Sequence, residues 1–170
     1  VEEQDPRGFW TERGGPTTNY NLVYVHAIGL YYEFSSDERV LECLHRALDF
    51  HIKFTYPDGV PVETIDGRVK YGSSNKYIFL WPLALAAFSL FPKGRRYVHF
   101  LLDNMAKKGQ LSLCSPPFAT AYLYMHSGNE EKILHDSESY VADLGEMAIV
   151  RRLGKWFYCL SAITSEPRIC

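Results

Sequence analysis

Three stretches of the chain are apolar on nearly every side. Asn21–Phe34 and Tyr77–Phe91 each leave almost no polar face, and Phe118–His126 repeats the pattern over a shorter length before Gly128. A helix that is hydrophobic all round is buried among other elements. The sequence therefore predicts three buried helices at these positions.

Two amphipathic stretches alternate with the apolar ones. Between Asp37 and Phe54 the apolar residues fall on one stripe, and Ser35 or Ser36 is the expected N-cap. Gly94–Lys107 repeats the amphipathic pattern. Alternation of apolar and amphipathic helices indicates layered helical hairpins, as in an α/α toroid whose inner helices are covered by outer ones. A plain helical bundle fits nearly as well.

Two further stretches have the pattern of β structure. Val60–Ile65 and Arg68–Tyr71 flank Asp66-Gly67, which is a common two-residue turn of a β-hairpin. Near the end of the chain, residues 147–150 and 156–162 are β-rich and joined by a hairpin-like turn. We therefore expect a short β-hairpin insertion between helices and a β segment at the end.

These patterns together predict a mainly α protein in two parts. Residues 1–138 are expected to form toroid-like helical hairpins that contain the short β-hairpin insertion. Residues 139–170 are expected to form the C-terminal β segment. The predicted boundary falls where the helical period gives way to the β period.

Composition and charge exclude several classes of function. With 170 residues, of which 46% are hydrophobic and 22% charged, the chain has a globular composition. Its 18 basic and 20 acidic residues give a net charge of −2, which supplies no general field for binding nucleic acid. The longest apolar run has roughly 15 residues, fewer than the ~20 that span a bilayer. We therefore expect no nucleic-acid partner and no membrane span.

Motifs for metals and cofactors do not occur. The four cysteines lack the spacing of a zinc site and are expected to be mostly free thiols. The sequence contains no GxGxxG, P-loop, GxSxG or HExxH motif. No cofactor and no metal are therefore predicted, and periplasmic, extracellular and cytoplasmic localisation all stay open.

Two loops carry a resemblance to a known group of enzymes. Gly8–Tyr20, which reads GFWTERGGPTTNY, and Val62–Arg68 with Tyr71 resemble α/α-toroid enzymes that act on polysaccharides, nearest the heparinase II/III-like lyases and related toroid glycosidases. The resemblance implies a polysaccharide or oligosaccharide partner, and a toroid followed by a β-sandwich that the β segment would begin. Because the chain holds only about two and a half helical pairs, self-association or flanking chain would complete the toroid.

The resemblance implies β-elimination on uronic-acid polymers, a reaction that needs a base, an acid and a group that stabilises negative charge. Tyr20 and Tyr71 are the candidate proton-transfer groups, and Asn19 lies where helix N–H groups would face a bound anion. Arg68 could bind a substrate carboxylate. The alternatives are that Asn19 caps the helix while Tyr20 packs, and that Arg68 pairs with Glu63 across the hairpin.

A hydrolase would instead use two carboxylates. Glu12 with Glu63 or Asp66 is the available pair, although Asp66 also fits an ordinary turn residue. Trp10 is a candidate platform for stacking on a sugar, or a packing anchor for the N-terminal arm. His26 is a candidate base or charge neutraliser, or an interior histidine with a structural role.

The sequence thus favours a polysaccharide lyase that cleaves uronic-acid-containing glycans. A glycoside hydrolase on the same scaffold and a non-catalytic helical-repeat interaction module are the alternatives. An enzyme requires the candidate residues to converge on one cleft, whereas an interaction module leaves them scattered. The residues in question are Glu12, Tyr20, Glu63, Arg68 and Tyr71.

Overall fold

The computed structural model describes residues 2–12, 14–67, 78, 81–111 and 116–163. Within this part of the chain, five α-helices are followed by three β-strands. The helices are α1 (Thr18–Ser35), α2 (Leu41–Lys53), α3 (Pro82–Ser89), α4 (Pro92–Lys107) and α5 (Pro116–Leu123). The strands are β1 (Ser139–Asp143), β2 (Ala148–Leu153) and β3 (Trp156–Ser161). The protein is therefore mixed and helix-rich, with a small antiparallel sheet.

The amphipathic predictions for α2 and α4 are confirmed. Each helix buries one stripe: Cys43, Leu44, Ala47, Leu48, Phe50, His51 and Ile52 in α2, and Gly94, Tyr97, Val98, Leu101 and Met105 in α4. The predicted N-cap is wrong. Asp37 accepts a hydrogen bond from the Arg39 N–H and caps a short 3-10 helix, Glu38–Val40, ahead of α2. Ser36 instead ends α1, in the left-handed conformation with φ 53°.

The three apolar helices lie side by side, with α3 between α1 and α5. Gly29 brings α1 close to α3, because a Cβ at this position would lie 2.4 Å from the Cβ of Ala87. On the other side, α2 packs against α1 and α4 packs against α3. The main core lies between these two layers and includes Val25, Leu44, Leu48, Phe88 and Val98.

The prediction of burial is confirmed for α3, where Ala84–Ser89 are all buried, but it is wrong for α1 and α5. In α1, Tyr24 is 40% exposed and Phe34 76% exposed. In α5, Tyr122 and Leu123 are 80% and 81% exposed. The sequence pattern misses this because aromatic residues occupy the solvent face of α1 in place of charged ones, and tyrosine can keep its hydroxyl in water while its ring stays apolar.

The predicted β-hairpin insertion is also wrong in its first arm. Glu63–Ile65 forms a 3-10 helix, and Ile65 is buried in a second core. Asp66 follows it in extended conformation and bonds to the start of α1. The second predicted arm, Arg68–Tyr71, lies outside the described residues.

The C-terminal hairpin is confirmed, since β2 pairs antiparallel with β3 across a turn at Gly154. β1 adds a third strand on the other side of β2. The inward residues of the sheet pack on helical and loop residues in the second core, which contains Phe9, Phe50, Phe54, Val62, Ile65, Ala142, Leu144, Ala148 and Val150. Whether the helices belong to a toroid and the sheet to a sandwich stays a prediction, as does the boundary at residue 138.

Candidate functional site

The two loops singled out in the sequence meet at the N-terminal end of α1. The Gly67 N–H donates to the Pro16 carbonyl over 2.8 Å. A Cβ on Gly67 would lie 3.3 Å from the Glu12 carbonyl oxygen, so this close approach favours glycine. The loops therefore lie on one side of the molecule. Arg68 and Tyr71, which complete the predicted site, lie outside the described residues.

Asp66 holds this junction together. Its Oδ2 accepts hydrogen bonds from the Thr18 N–H at 2.7 Å, from the Thr18 hydroxyl at 2.9 Å and from the Asn19 N–H at 3.4 Å. The side chain is buried, with only 4% of the residue exposed. The N–H groups that were expected to face a bound anion are thus engaged by the protein's own carboxylate. Asp66 is a capping group here and not a turn residue.

Asn19 is not the N-cap of α1, because the Thr17 hydroxyl accepts from the Tyr20 N–H at 3.1 Å and takes that role. The Asn19 side chain turns to the start of α3, where its Oδ1 accepts from the Trp81 indole N–H at 3.4 Å. Since an indole N–H only donates, the other amide atom of Asn19 is the Nδ2 donor. Asn19 therefore links two helix starts and keeps a hydrogen-bond donor of its own.

Trp81 is a site residue that sequence reasoning missed. It stands immediately before Pro82, which opens α3, and 40% of it is exposed. The signal that could have found it is a tryptophan directly before a proline that starts a helix, because such a residue lies at the helix N-terminus. Its ring adds an aromatic surface beside Asn19.

Two tyrosines near the start of α1 lie one turn apart. Tyr20 is 38% exposed and Tyr24 is 40% exposed. Tyr24 stacks on Trp10, with ring centroids 5.1 Å apart and planes inclined by 24°. Trp10 itself is only 6% exposed. Its placement fits the packing-anchor interpretation, and the rings offered to solvent near the junction are those of Tyr20, Tyr24 and Trp81.

A buried polar cluster fixes the N-terminal arm behind these rings. The Trp10 N–H donates to Asn21 Oδ1 at 3.1 Å, so the Asn21 amide nitrogen faces Gly8 O at 3.3 Å and His51 Nε2 at 3.1 Å. His51 Nε2 must therefore be the acceptor and Nδ1 the protonated nitrogen. Burial lowers the pKa of His51 to about 3, so the ring is neutral near pH 7.

His26 lies on the side of α1 that faces Trp81. The two rings meet edge to face, with centroids 5.7 Å apart. His26 Nδ1 is buried and has no hydrogen-bond partner among the described residues. Burial lowers the pKa of this imidazole, which favours its neutral form. Its predicted role as base or charge neutraliser stays a prediction.

The two glutamates of the predicted carboxylate pair belong to different surroundings. Glu12 lies in a tight turn, where its N–H donates to the Gly15 carbonyl at 2.9 Å. Glu63 lies near Tyr56 and Cys159. The pKa of Tyr56 is raised mainly by burial, and further by the negative charge of Glu63 and by the hydrogen bond to Glu63. Burial, assisted by the Glu63 charge, also raises the pKa of the Cys159 thiol. Glu63 therefore interacts with the sheet side of the molecule.

Comparisons with known proteins supply no family for this chain. It matches no protein-family model, no curated protein and no solved structure. Among the described residues, no three or more His, Cys, Asp and Glu side chains are grouped so that they could hold a metal ion. In the same part of the chain, every helix is too short or too polar to cross a membrane.

Proposed function

We propose that this chain is a carbohydrate-active protein, a polysaccharide lyase that cleaves uronic-acid-containing glycans by β-elimination. The observation that supports the proposal is the meeting of the two loops at the start of α1, where Asn19 accepts from the Trp81 indole N–H and the exposed Tyr20 follows Asn19 in the chain. Exposed aromatic rings beside an amide donor are the groups that bind sugars, whose faces are apolar and whose edges are polar.

The substrate carboxylate is assigned to Asn19. Its Oδ1 is taken by Trp81, which leaves Nδ2 to donate to the uronate. Hydrogen-bond donors aimed at the carboxylate stabilise the negative charge that develops when the neighbouring carbon loses its proton. The positive end of α1 does not contribute a free N–H at Thr18 or Asn19, because Asp66 accepts from both.

Tyr20 is assigned to proton transfer. In β-elimination the base removes the proton next to the carboxylate, a carbon–carbon double bond forms, and the glycosidic carbon–oxygen bond breaks. The leaving oxygen then takes a proton from an acid. A tyrosine that is 38% exposed beside Asn19 can approach such a substrate, and general acid–base groups of this kind accelerate reactions by about 10²–10⁴.

The described carboxylates support elimination better than hydrolysis. A glycosidase needs two carboxyl groups that flank the glycosidic bond. Asp66 is buried and engaged by α1, and Glu63 interacts with Tyr56. Glu12 lies in the turn that its N–H closes with the Gly15 carbonyl.

A non-catalytic interaction module is the second candidate. The solvent face of α1 continues past the junction to Tyr31, which is 49% exposed, and to Phe34. An aromatic face that extends beyond the proposed reaction centre favours binding along the whole helix. Such a module would bind its partner with no turnover.

The test is incubation of the full chain with a panel of uronate polysaccharides and neutral polysaccharides. Ultraviolet absorbance reports unsaturated products, and a reducing-end assay reports every chain cut. Absorbance that rises with new reducing ends on a uronate polymer is the expected result. New ends without absorbance mean hydrolysis, and binding without new ends means an interaction module; either outcome overturns the lyase proposal.

A further inference from the structure

A second candidate site lies on the other layer of helices. A cleft of about 410 Å³ opens between the end of α2, the start of α4 and the segment that follows residue 131. Three lysines from these three segments line it: Lys53, Lys93 and Lys132. None of its lining residues belongs to α1 or to the two loops, so this site is independent of the proposed function.

The residues that line this cleft carry an excess of positive charge. Asp49 is the one acid in the lining, so three lysines and one aspartate give the lining 3 − 1 = +2, whereas the whole chain has a net charge of −2. Within the described part of the chain, none of the three lysines forms an ion pair. Like charges that share a cleft repel one another, and a bound anion removes that cost.

Two neighbouring acids have partners of their own, whereas Glu131 and Glu138 are exposed next to Lys132 and Ser137 in the chain. Asp136 forms an ion pair with Arg96 and accepts from the Ile133 N–H at 2.9 Å. Glu130 pairs with His99. These contacts hold two carboxylates away from the lysines and anchor the segment that forms one wall of the cleft.

We propose that this cleft binds a phosphate monoester of a sugar-sized molecule. A phosphate monoester carries about −1.5 to −2 charges at pH 7, which matches the +2 of the lining. Lysine ammonium groups bind phosphate as point charges, and the Ser137 hydroxyl at the rim can donate another hydrogen bond. The cleft volume falls in the range of small-molecule sites of about 300–1,000 Å³. Ile52 and Ile133 add apolar wall for the carbon skeleton.

Isothermal titration at low salt tests the proposal, with glucose 6-phosphate as the probe. Inorganic phosphate and glucose are the comparison ligands, because they separate the contribution of the phosphate from that of the sugar. We expect glucose 6-phosphate to bind, inorganic phosphate to bind more weakly, and glucose not to bind. Binding should weaken as salt is added, because lysine contacts to a surface anion are screened.

The double variant Lys93→Gln with Lys132→Gln tests whether glucose 6-phosphate binds in this cleft. Loss of two charge-assisted contacts should weaken glucose 6-phosphate binding at least about tenfold. Lys107→Gln is the matched control, since Lys107 is an exposed lysine in the last turn of α4. Both variants should keep the melting temperature of the parent chain.

Three results would overturn the proposal. The first is no heat with glucose 6-phosphate at low salt. The second is equal weakening in the Lys107 control, which would mean general surface charge. The third is equal binding of inorganic phosphate and glucose 6-phosphate, which would remove the sugar from the ligand.

Discussion

The N-terminal end of α1 and the lysine cleft handle charge in opposite ways. At the end of α1 a buried carboxylate, Asp66, is matched by the donors of Thr18 and Asn19. In the cleft, Lys53, Lys93 and Lys132 line the wall together with a single aspartate, Asp49. The charge of the first region is hydrogen-bonded within the protein, and the lining of the second region carries excess positive charge.

This difference teaches what each region can recognise. A satisfied helix end binds through neutral groups, here the exposed rings of Tyr20 and Trp81 and the amide of Asn19. An unbalanced cleft gains free energy when an anion enters. We therefore expect the charge of Asp66 to contribute to folding stability, and the charges of the three lysines to contribute to ligand binding.

The largest expected effect is a loss of folding stability at low pH, because each region has a buried neutral histidine close to it. Burial lowers the pKa of His51, which contacts Asn21 of α1, to about 3. Burial likewise lowers the pKa of His135 to about 4. In the chain, His135 stands between Leu134 and Ser137, which both line the cleft. Both values lie below the ~6.5 of an unfolded histidine, so the unfolded chain binds more protons and stability falls as pH drops below about 6.5.

Lowering the pH from 8 to 5 should reduce the unfolding free energy by about 2 kcal/mol for each of these two histidines. Urea denaturation at the two pH values measures this change. His51→Gln should remove about 2 kcal/mol of this difference, which is the part assigned to that ring. A stability that is flat from pH 8 to pH 5 would refute the assignment of both rings as buried and neutral.

Asp66→Ala should give the next largest effect. It removes a buried acceptor from the Thr18 N–H, the Thr18 hydroxyl and the Asn19 N–H, which should lower the unfolding free energy by about 3 kcal/mol. Asp58→Ala is the matched control, because Asp58 has a 56% exposed side chain in a surface ion pair with Lys108. The control should lose at most about 1 kcal/mol. Equal losses in the two variants would contradict the capping role of Asp66.

The smallest effect is expected in the lysine cleft. Lys93→Gln with Lys132→Gln breaks no ion pair among the described residues, so the unfolding free energy without ligand should change by no more than about 0.5 kcal/mol. Denaturation in phosphate-free buffer measures it. A loss near that of Asp66→Ala would show that the lysines stabilise the fold and would remove the contrast between the two regions.

The fold was predictable where the spacing of apolar residues along the chain directly indicates which residues are buried. The stripes of α2 and α4 alternate apolar and charged positions, and the hairpin of β2 and β3 has both the β pattern and a glycine turn. The exposed face of α1 was not predictable in this way. Its Tyr24, Tyr31 and Phe34 have the same polarity class as the buried Leu22 and Val25.

The candidate site was predictable only in part. The two loops were singled out from the sequence, but the bond between Asp66 and Thr18 joins residues 48 positions apart. Asp66-Gly67 has the composition of a local turn, and this favoured the wrong structure. The lysine cleft draws on three segments of the chain, so no local pattern of residues indicates it.

The central claim is that Tyr20 transfers a proton at the end of α1. Tyr20→Phe and Tyr24→Phe test it most directly, because the two tyrosines lie one turn apart and are 38% and 40% exposed, and each substitution removes only a hydroxyl. On the uronate polysaccharide that the parent chain cleaves, kcat is measured from the absorbance of unsaturated product. We predict that Tyr20→Phe lowers kcat at least about 100-fold while Tyr24→Phe stays close to the parent. Equal turnover in both variants, or an equal loss in both, would contradict the account.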